Sequence, residues 1–135
     1  MNCTALQGSL QSVLVVDDDE FSHEVLRKKL SYWGVTNIAV AHDGKDGMQV
    51  LDVMKCPPDF LICDIFMPDM DGIEFLGELA KRKYKGGIIL VTGVSQDMLE
   101  IAQQIATHHG LKLLGAFTKP LNHESLGLAM GFSPL

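Results

Sequence analysis

Positive charge is in short supply. Eleven Lys and Arg residues face seventeen Asp and Glu, giving a formal net charge of −6 and a pI near 5.2. Such a balance argues against a phosphate backbone or an anionic membrane as the direct partner. Long apolar runs are missing as well. Val13–Val16 and Ile88–Val91 hold four residues each, far short of the ~20 needed to span a bilayer. The start, Met1-Asn2-Cys3-Thr4, has neither the basic opening nor the apolar stretch of a secretory signal. Cysteine is scarce: Cys3, Cys56 and Cys63 make an odd count without ligand-like spacing, which points to a reduced, cytoplasmic setting. No linker, low-complexity tract or charge block interrupts the chain. What is present is an ordinary globular balance over 135 residues, 47% hydrophobic and 21% charged. That length predicts one domain, able to bury about two-thirds of its unfolded surface without staples.

Five short apolar runs recur, at Val13–Val16, Ile38–Ala41, Phe60–Cys63, Ile88–Val91 and Leu113–Phe117, with starts 25, 22, 28 and 25 residues apart. Each interval fits a strand, a loop and a helix. From Glu20 to Trp33, Phe21, Val25, Leu26, Leu30 and Trp33 share one helical face, and Gly34 stands as the stop. A second helix is expected between Gly44 and Lys55. Asp71 and Glu74 form a D-x-x-E start for a third, Ser95 caps a fourth ending before Gly110, and Asn122 opens a fifth. The period is supersecondary, because the helical stretches share no sequence. Five strand–helix alternations predict an α/β fold, a single (βα)5 doubly wound parallel sheet. The alanine-rich second run suits an edge, and the order 2-1-3-4-5 accommodates it, as would others. Residues 12–131 are expected to form the domain, with tails at 1–11 and 132–135.

In an open parallel sheet, ligands sit beyond the carboxyl ends of the strands where the winding reverses, here between the first and third strands. The first run leads straight into Asp17-Asp18-Asp19 and the third into Asp64. Carboxylates crowded together need a cation. An all-oxygen ligand set with no His or Cys favours Mg²⁺ or Mn²⁺ over zinc. Asp19 alone reads as a helix cap. The fourth run ends in Thr92-Gly93 and the fifth in Thr118-Lys119-Pro120, adding a hydroxyl and an ammonium. Lys119 against acidic residues is by itself a plain ion pair. Together with a metal and a carboxylate nucleophile, it matches what a transferring phosphoryl group requires.

The stretches Val13-Leu14-Val15-Val16-Asp17-Asp18-Asp19, Cys63-Asp64-Ile65-Phe66-Met67-Pro68-Asp69-Met70-Asp71-Gly72, Val91-Thr92-Gly93 and Thr118-Lys119-Pro120 resemble the receiver domain of two-component response regulators. The four motifs occur in order and cover roughly residues 12–131. The resemblance implies that Asp64 is the phosphoacceptor, taking a phosphoryl group from a sensor histidine kinase or histidine phosphotransfer protein. It implies that Asp17, Asp18, Asp64 and the backbone carbonyl of Phe66 bind Mg²⁺, with Asp18 direct and Asp17 largely through water. Thr92 is then expected to bond a phosphoryl oxygen in the active state, Lys119 to pair with the phosphoryl charge, and the Lys119–Pro120 bond to be cis. An output domain or downstream protein would receive the signal, and the domain would catalyse only its own phosphorylation and dephosphorylation. The chain departs from the family at Ala116, where a Tyr or Phe is common three residues before the Lys. Phe117 is adjacent, but strand alternation turns it to the other face. Signalling would therefore rest on displacement of the loop after Thr92 and of the fourth helix. Phe66 and Val94, both apolar, are expected to shield an acyl phosphate from water.

Other readings fare worse. Asp69-Met70-Asp71-Gly72-Ile73 matches the D-x-D-G start of haloacid-dehalogenase-type phosphatases, but Met67-Pro68 precede it and Pro suits no central strand. A calcium loop would place Met67 first, where it cannot serve as a ligand. A phosphorylation-independent binding module of the same fold is the serious rival, although such members usually lack one of the acidic, Thr or Lys positions. His108 and His109 diverge by ~100° on a helix and chelate poorly. His23, His42 and His123 are scattered and suggest no role. The methionines read as core filler, and Cys63 as buried and inert. The stretch Leu113–Pro120 also looks somewhat like receivers joined to cyclic-di-GMP phosphodiesterase domains.

Overall fold

The computed structural model describes residues 11–66, 71–93 and 96–132. Strands and helices alternate as β1 (Ser12–Val16), α1 (Glu20–Tyr32), β2 (Asn37–Ala41), α2 (Gly44–Val53), β3 (Phe60–Asp64), α3 (Gly72–Lys81), β4 (Gly87–Thr92), α4 (Gln96–His108), β5 (Lys112–Thr118) and α5 (His123–Met130). All four strand pairings are parallel, and the sheet order is β2-β1-β3-β4-β5. β2 is an edge strand, in keeping with its alanines and its partial exposure. The fold class and strand order read from the sequence hold.

The alternation of side chains divides the interior into two layers. Leu14, Val16, Leu61, Cys63, Ile88 and Leu90 face one way and pack with Met48 of α2, Phe75, Leu76 and Leu79 of α3, and Leu99, Ala102 and Ala106 of α4. Val13, Val15, Ile62, Ile89 and Val91 face the other way, against Leu26 and Leu30 of α1 and Leu126 and Met130 of α5. Strands covered on both faces need apolar interiors, and β1 from Val13 to Val16, β3 from Phe60 to Cys63 and β4 from Ile88 to Val91 supply them without a break. A β-bulge lies between Ile88 and Ile89, where Leu113 and Gly115 are the successive β5 partners.

The capping signals act as their chemistry requires. Asp19 caps α1 by accepting from the Phe21 N–H, Asp71 caps α3 at Glu74 N, and Asn122 caps α5 at Ser125 N. Gly34, with φ +84°, follows the end of α1 in the left-handed conformation that favours glycine. Helix α2 ends at Val53, two residues before the expected Lys55, because Met54 is already extended on the way to Pro57 and Pro58. The strands exceed their apolar runs by a residue or two, since backbone pairing continues past the last apolar side chain. This puts Asp64 and Thr92 inside β3 and β4 as their final residues. Ser95, Val94, Cys3 and the Met67–Met70 stretch lie outside the described residues, as do most of the two expected tails. Among the described helices, none is long and apolar enough to cross a membrane.

Candidate functional site at the carboxyl ends of the strands

Strand register brings the site together. Val16 pairs with Cys63 across β1 and β3, so the next residues, Asp17 and Asp64, leave adjacent strands at the same level. Thr92, fully buried, pairs with Thr118 at the ends of β4 and β5. The Lys119 N–H then bonds the Thr92 carbonyl at 2.8 Å, extending that ladder by one rung. The Lys119–Pro120 peptide is cis.

Asp17 and Asp64 are 1% and 5% exposed, whereas Asp18 opens to solvent. One carboxylate oxygen from each of the three lies within 4.8 Å of the others. The Lys119 ammonium joins them, 2.8 Å from Asp17 Oδ2 and 3.0 Å from Asp64 Oδ2, with its third donor toward Ser22 Oγ at 3.3 Å. The other oxygens are held by backbone donors: Asp17 Oδ1 accepts from Asp19 N, and Asp64 Oδ1 from Phe66 N at 3.2 Å. Burial raises the Asp64 carboxyl above its ordinary value, against the opposing charge and hydrogen bond of Lys119, and Asp17 pushes it the same way as burial. For Lys119, burial works to lower the ammonium. The Asp17 hydrogen bond and the Asp64 charge outweigh it and hold the group above its usual value. Three carboxylates against one ammonium leave two negative charges uncompensated, so the donor set fits a divalent cation held by oxygen.

Asp17, Asp18, Asp64, Thr92 and Lys119 thus converge at one end of the sheet, as their strand-end positions foretold. Phe66 sits beside them, 47% exposed. Two residues with no role assigned from the sequence also belong there. Ser22 touches Lys119, and His23, buried, bonds the Asp17 carbonyl oxygen at 2.7 Å. The legible signal was position: both lie in the first turn of α1, which faces the β1–α1 loop. Beside Lys119, Phe21, Val25, Pro120 and Leu121 line an apolar cleft of about 340 Å³. By contrast, His108, the last residue of α4, and His109 after it lie edge to edge with ring centroids 5.8 Å apart and are not among the carboxylate cluster. Cys63 is free and buried, its thiol pushed up by burial and donating to the Asp64 carbonyl.

A family profile for the response regulator receiver domain matches residues 13–130. The chain belongs to this family. The receiver domain is 29% identical over 120 residues to a probable C4-dicarboxylate response regulator, DctR, of Priestia megaterium, covering 88% of this chain and 50% of that protein. Among solved structures, a response regulator from Colwellia psychrerythraea superposes with a TM-score of 0.75 at 32% identity, over 90% of this receiver and 94% of that chain. The chemotaxis protein CheY4 of Vibrio cholerae follows at 0.71 and 25%, covering 87% and 93%. The receiver spans about a quarter to a half of the length of the curated relatives it matches.

Proposed function

We propose that this receiver domain is a phosphorylation switch in which Asp64 accepts a phosphoryl group. One observation carries the reading: a single ammonium, Lys119, bridges the buried Asp17 and Asp64 while Asp18 stands within reach of both. Asp17, Asp18, Asp64 and the Phe66 carbonyl would hold Mg²⁺ or Mn²⁺. When bound, the ion supplies positive charge at the oxygens of the transferring group.

An Asp64 oxygen attacks phosphorus in line. A P–O bond to the carboxylate forms as the P–N bond of a donor phosphohistidine breaks, and the electron pair leaves with the imidazole nitrogen. Lys119 then exchanges an Asp64 oxygen for a phosphoryl oxygen, and the Thr92 hydroxyl donates to another. The donor is a sensor histidine kinase or a histidine phosphotransfer protein, and the apolar cleft by Phe21 and Pro120 offers it a surface beside the acceptor. The new charge, about −1.5 to −2, displaces the loop after Thr92 and α4, and an output domain or downstream protein reads the change. Ala116 packs on the α3–α4 side and Phe117 on the opposite side, so β5 supplies no ring on the Ala116 side to couple Thr92 with phosphate. The domain boundaries 12–131 and a cytoplasmic location complete the reading, as does the absence of turnover on any free substrate.

Purified protein incubated with acetyl phosphate and Mg²⁺ tests it. Mass spectrometry should show one added phosphoryl group, lost with chelator and in Asp64→Asn. An unmodified wild-type protein would favour a binding module that signals without phosphate.

A further inference from the structure

The geometry points to His23 as a positioning residue for the cation site, one that fixes the Asp17–Asp18 peptide through its hydrogen bond to the Asp17 carbonyl. This rests on the reading of Asp17, Asp18 and Asp64 as the metal ligands.

His23 is 5% exposed and its Nε2 lies 2.7 Å from the Asp17 carbonyl oxygen. A carbonyl can only accept, so Nε2 carries the hydrogen. The Asp17 carbonyl and the Asp18 N–H belong to one rigid planar peptide. Pinning that oxygen sets the plane from which Asp18 departs, and so sets where the exposed carboxylate points. The same residue is held at its other ends: Asp17 N bonds the Ala41 carbonyl at 3.0 Å, and its carboxylate takes Asp19 N and Lys119. The His23 bond supplies the remaining restraint, on the side leading to Asp18. The imidazole is braced in turn. His42 lies edge-on to it with ring centroids 5.2 Å apart, and His42 is itself tied to Asp46 through its backbone N–H at 2.9 Å. An apolar residue would fill this site as well as His does but would leave the carbonyl without its donor. Groups that orient a ligand from behind typically govern metal affinity by ten- to a hundredfold.

Mg²⁺ requires near-ideal octahedral geometry, whereas Ca²⁺ accepts flexible arrangements, so a pinned peptide matters for one ion far more than the other. Calorimetric titrations of Mg²⁺ and Ca²⁺ into the wild type, His23→Leu and His23→Gln test this, with thermal unfolding in chelator as the control for folding. His23→Leu should lose about tenfold in Mg²⁺ affinity while its Ca²⁺ affinity moves less than about threefold. His23→Gln, whose amide nitrogen reaches the same place, should stay within about threefold of wild type for both ions. If His23→Leu does not fold, His23→Met takes its place with the same expectation. A folded His23→Leu or His23→Met protein with unchanged Mg²⁺ affinity overturns the assignment, as does equal loss for both ions, or failure of His23→Gln to restore Mg²⁺. A wild type that binds no Mg²⁺ overturns the metal-site reading itself and this inference with it.

Discussion

Lys119 balances two buried carboxylates at once, and its removal is felt in two ways. Lys119→Ala leaves Asp17 and Asp64 facing each other without a counter-charge and should cost about 2–4 kcal/mol, read by denaturant unfolding in chelator. Mg²⁺ should raise the unfolding midpoint of this variant more than that of the wild type, because the ion supplies the missing charge. Asp64→Asn acts in the opposite direction. Burial and Asp17 hold the Asp64 carboxyl above its ordinary value, so the contribution of this group is present in acid and lost as pH rises through the raised value. At neutral pH the metal-free Asp64→Asn protein should therefore be more stable than wild type, by about 1 kcal/mol or roughly 3–5 °C. Adding Mg²⁺ should narrow or reverse that difference, since the variant has lost a proposed ligand. Phe66 belongs to the same scale. Its N–H bonds the Asp64 carboxylate, and an apolar side chain at that position leads us to expect slow loss of phosphate from the purified, phosphorylated domain. Decay within seconds in Mg²⁺ would contradict it.

At the scale of elements, two glycines mark where helices press hardest, and they separate site from scaffold. Gly72 opens α3 directly against the end of β3. A Cβ there would lie 2.7 Å from Ile65 Cα and 2.8 Å from the Asp64 carbonyl oxygen, both backbone atoms that cannot swing aside. Gly72→Ala should cost about 1–3 kcal/mol. It should also slow phosphoryl uptake by about ten- to a hundredfold, because the displaced backbone carries Asp64, the proposed acceptor. Gly127 in α5 meets Trp33 instead, with a Cβ only 2.2 Å from the indole. That ring stacks on Phe132 and donates through Nε1 to the His123 carbonyl at 2.7 Å, so it has little freedom to retreat. Gly127→Ala should cost a similar amount of stability yet leave the rate of phosphoryl uptake unchanged, as measured by mass spectrometry over time. Neither contact was legible in the sequence. A glycine within a helix reads there only as a weak helix former, and its packing partner comes from another element.

Across the whole molecule, the two apolar layers on either face of the sheet hold the strand ends in place, and the acidic site sits where neither layer reaches. Any cation bound only by the folded state should stabilise all of it together. At ten times its dissociation constant, Mg²⁺ should add about 1.4 kcal/mol to unfolding, in one concentration-dependent transition. A midpoint that ignores Mg²⁺ would count against the site. The balance of sequence and structure is visible at this scale. The apolar runs of β1, β3 and β4 and the spacing of about 25 residues sufficed for the layers and the winding. They also sufficed to place Asp17, Asp64, Thr92 and Lys119 at one end of the sheet. The end of α2 was misplaced by two residues because the extended backbone of Met54 leaves little mark on side-chain periodicity.

Residue type and order alone determined the alternation of elements, the edge position of β2, the caps at Asp19, Asp71 and Asn122, and which carboxylates stand at the strand ends. Each of these follows from local periodicity or from the bonding of a side chain to its own neighbourhood. Only the tertiary structure decided that Lys119 reaches Asp17 and Asp64 together, that Ser22 completes its hydrogen bonds, and that His23 turns inward to the Asp17 carbonyl. Those contacts depend on strand register and helix docking, which set distances to within an ångström between residues up to about a hundred positions apart, and no local pattern encodes such distances.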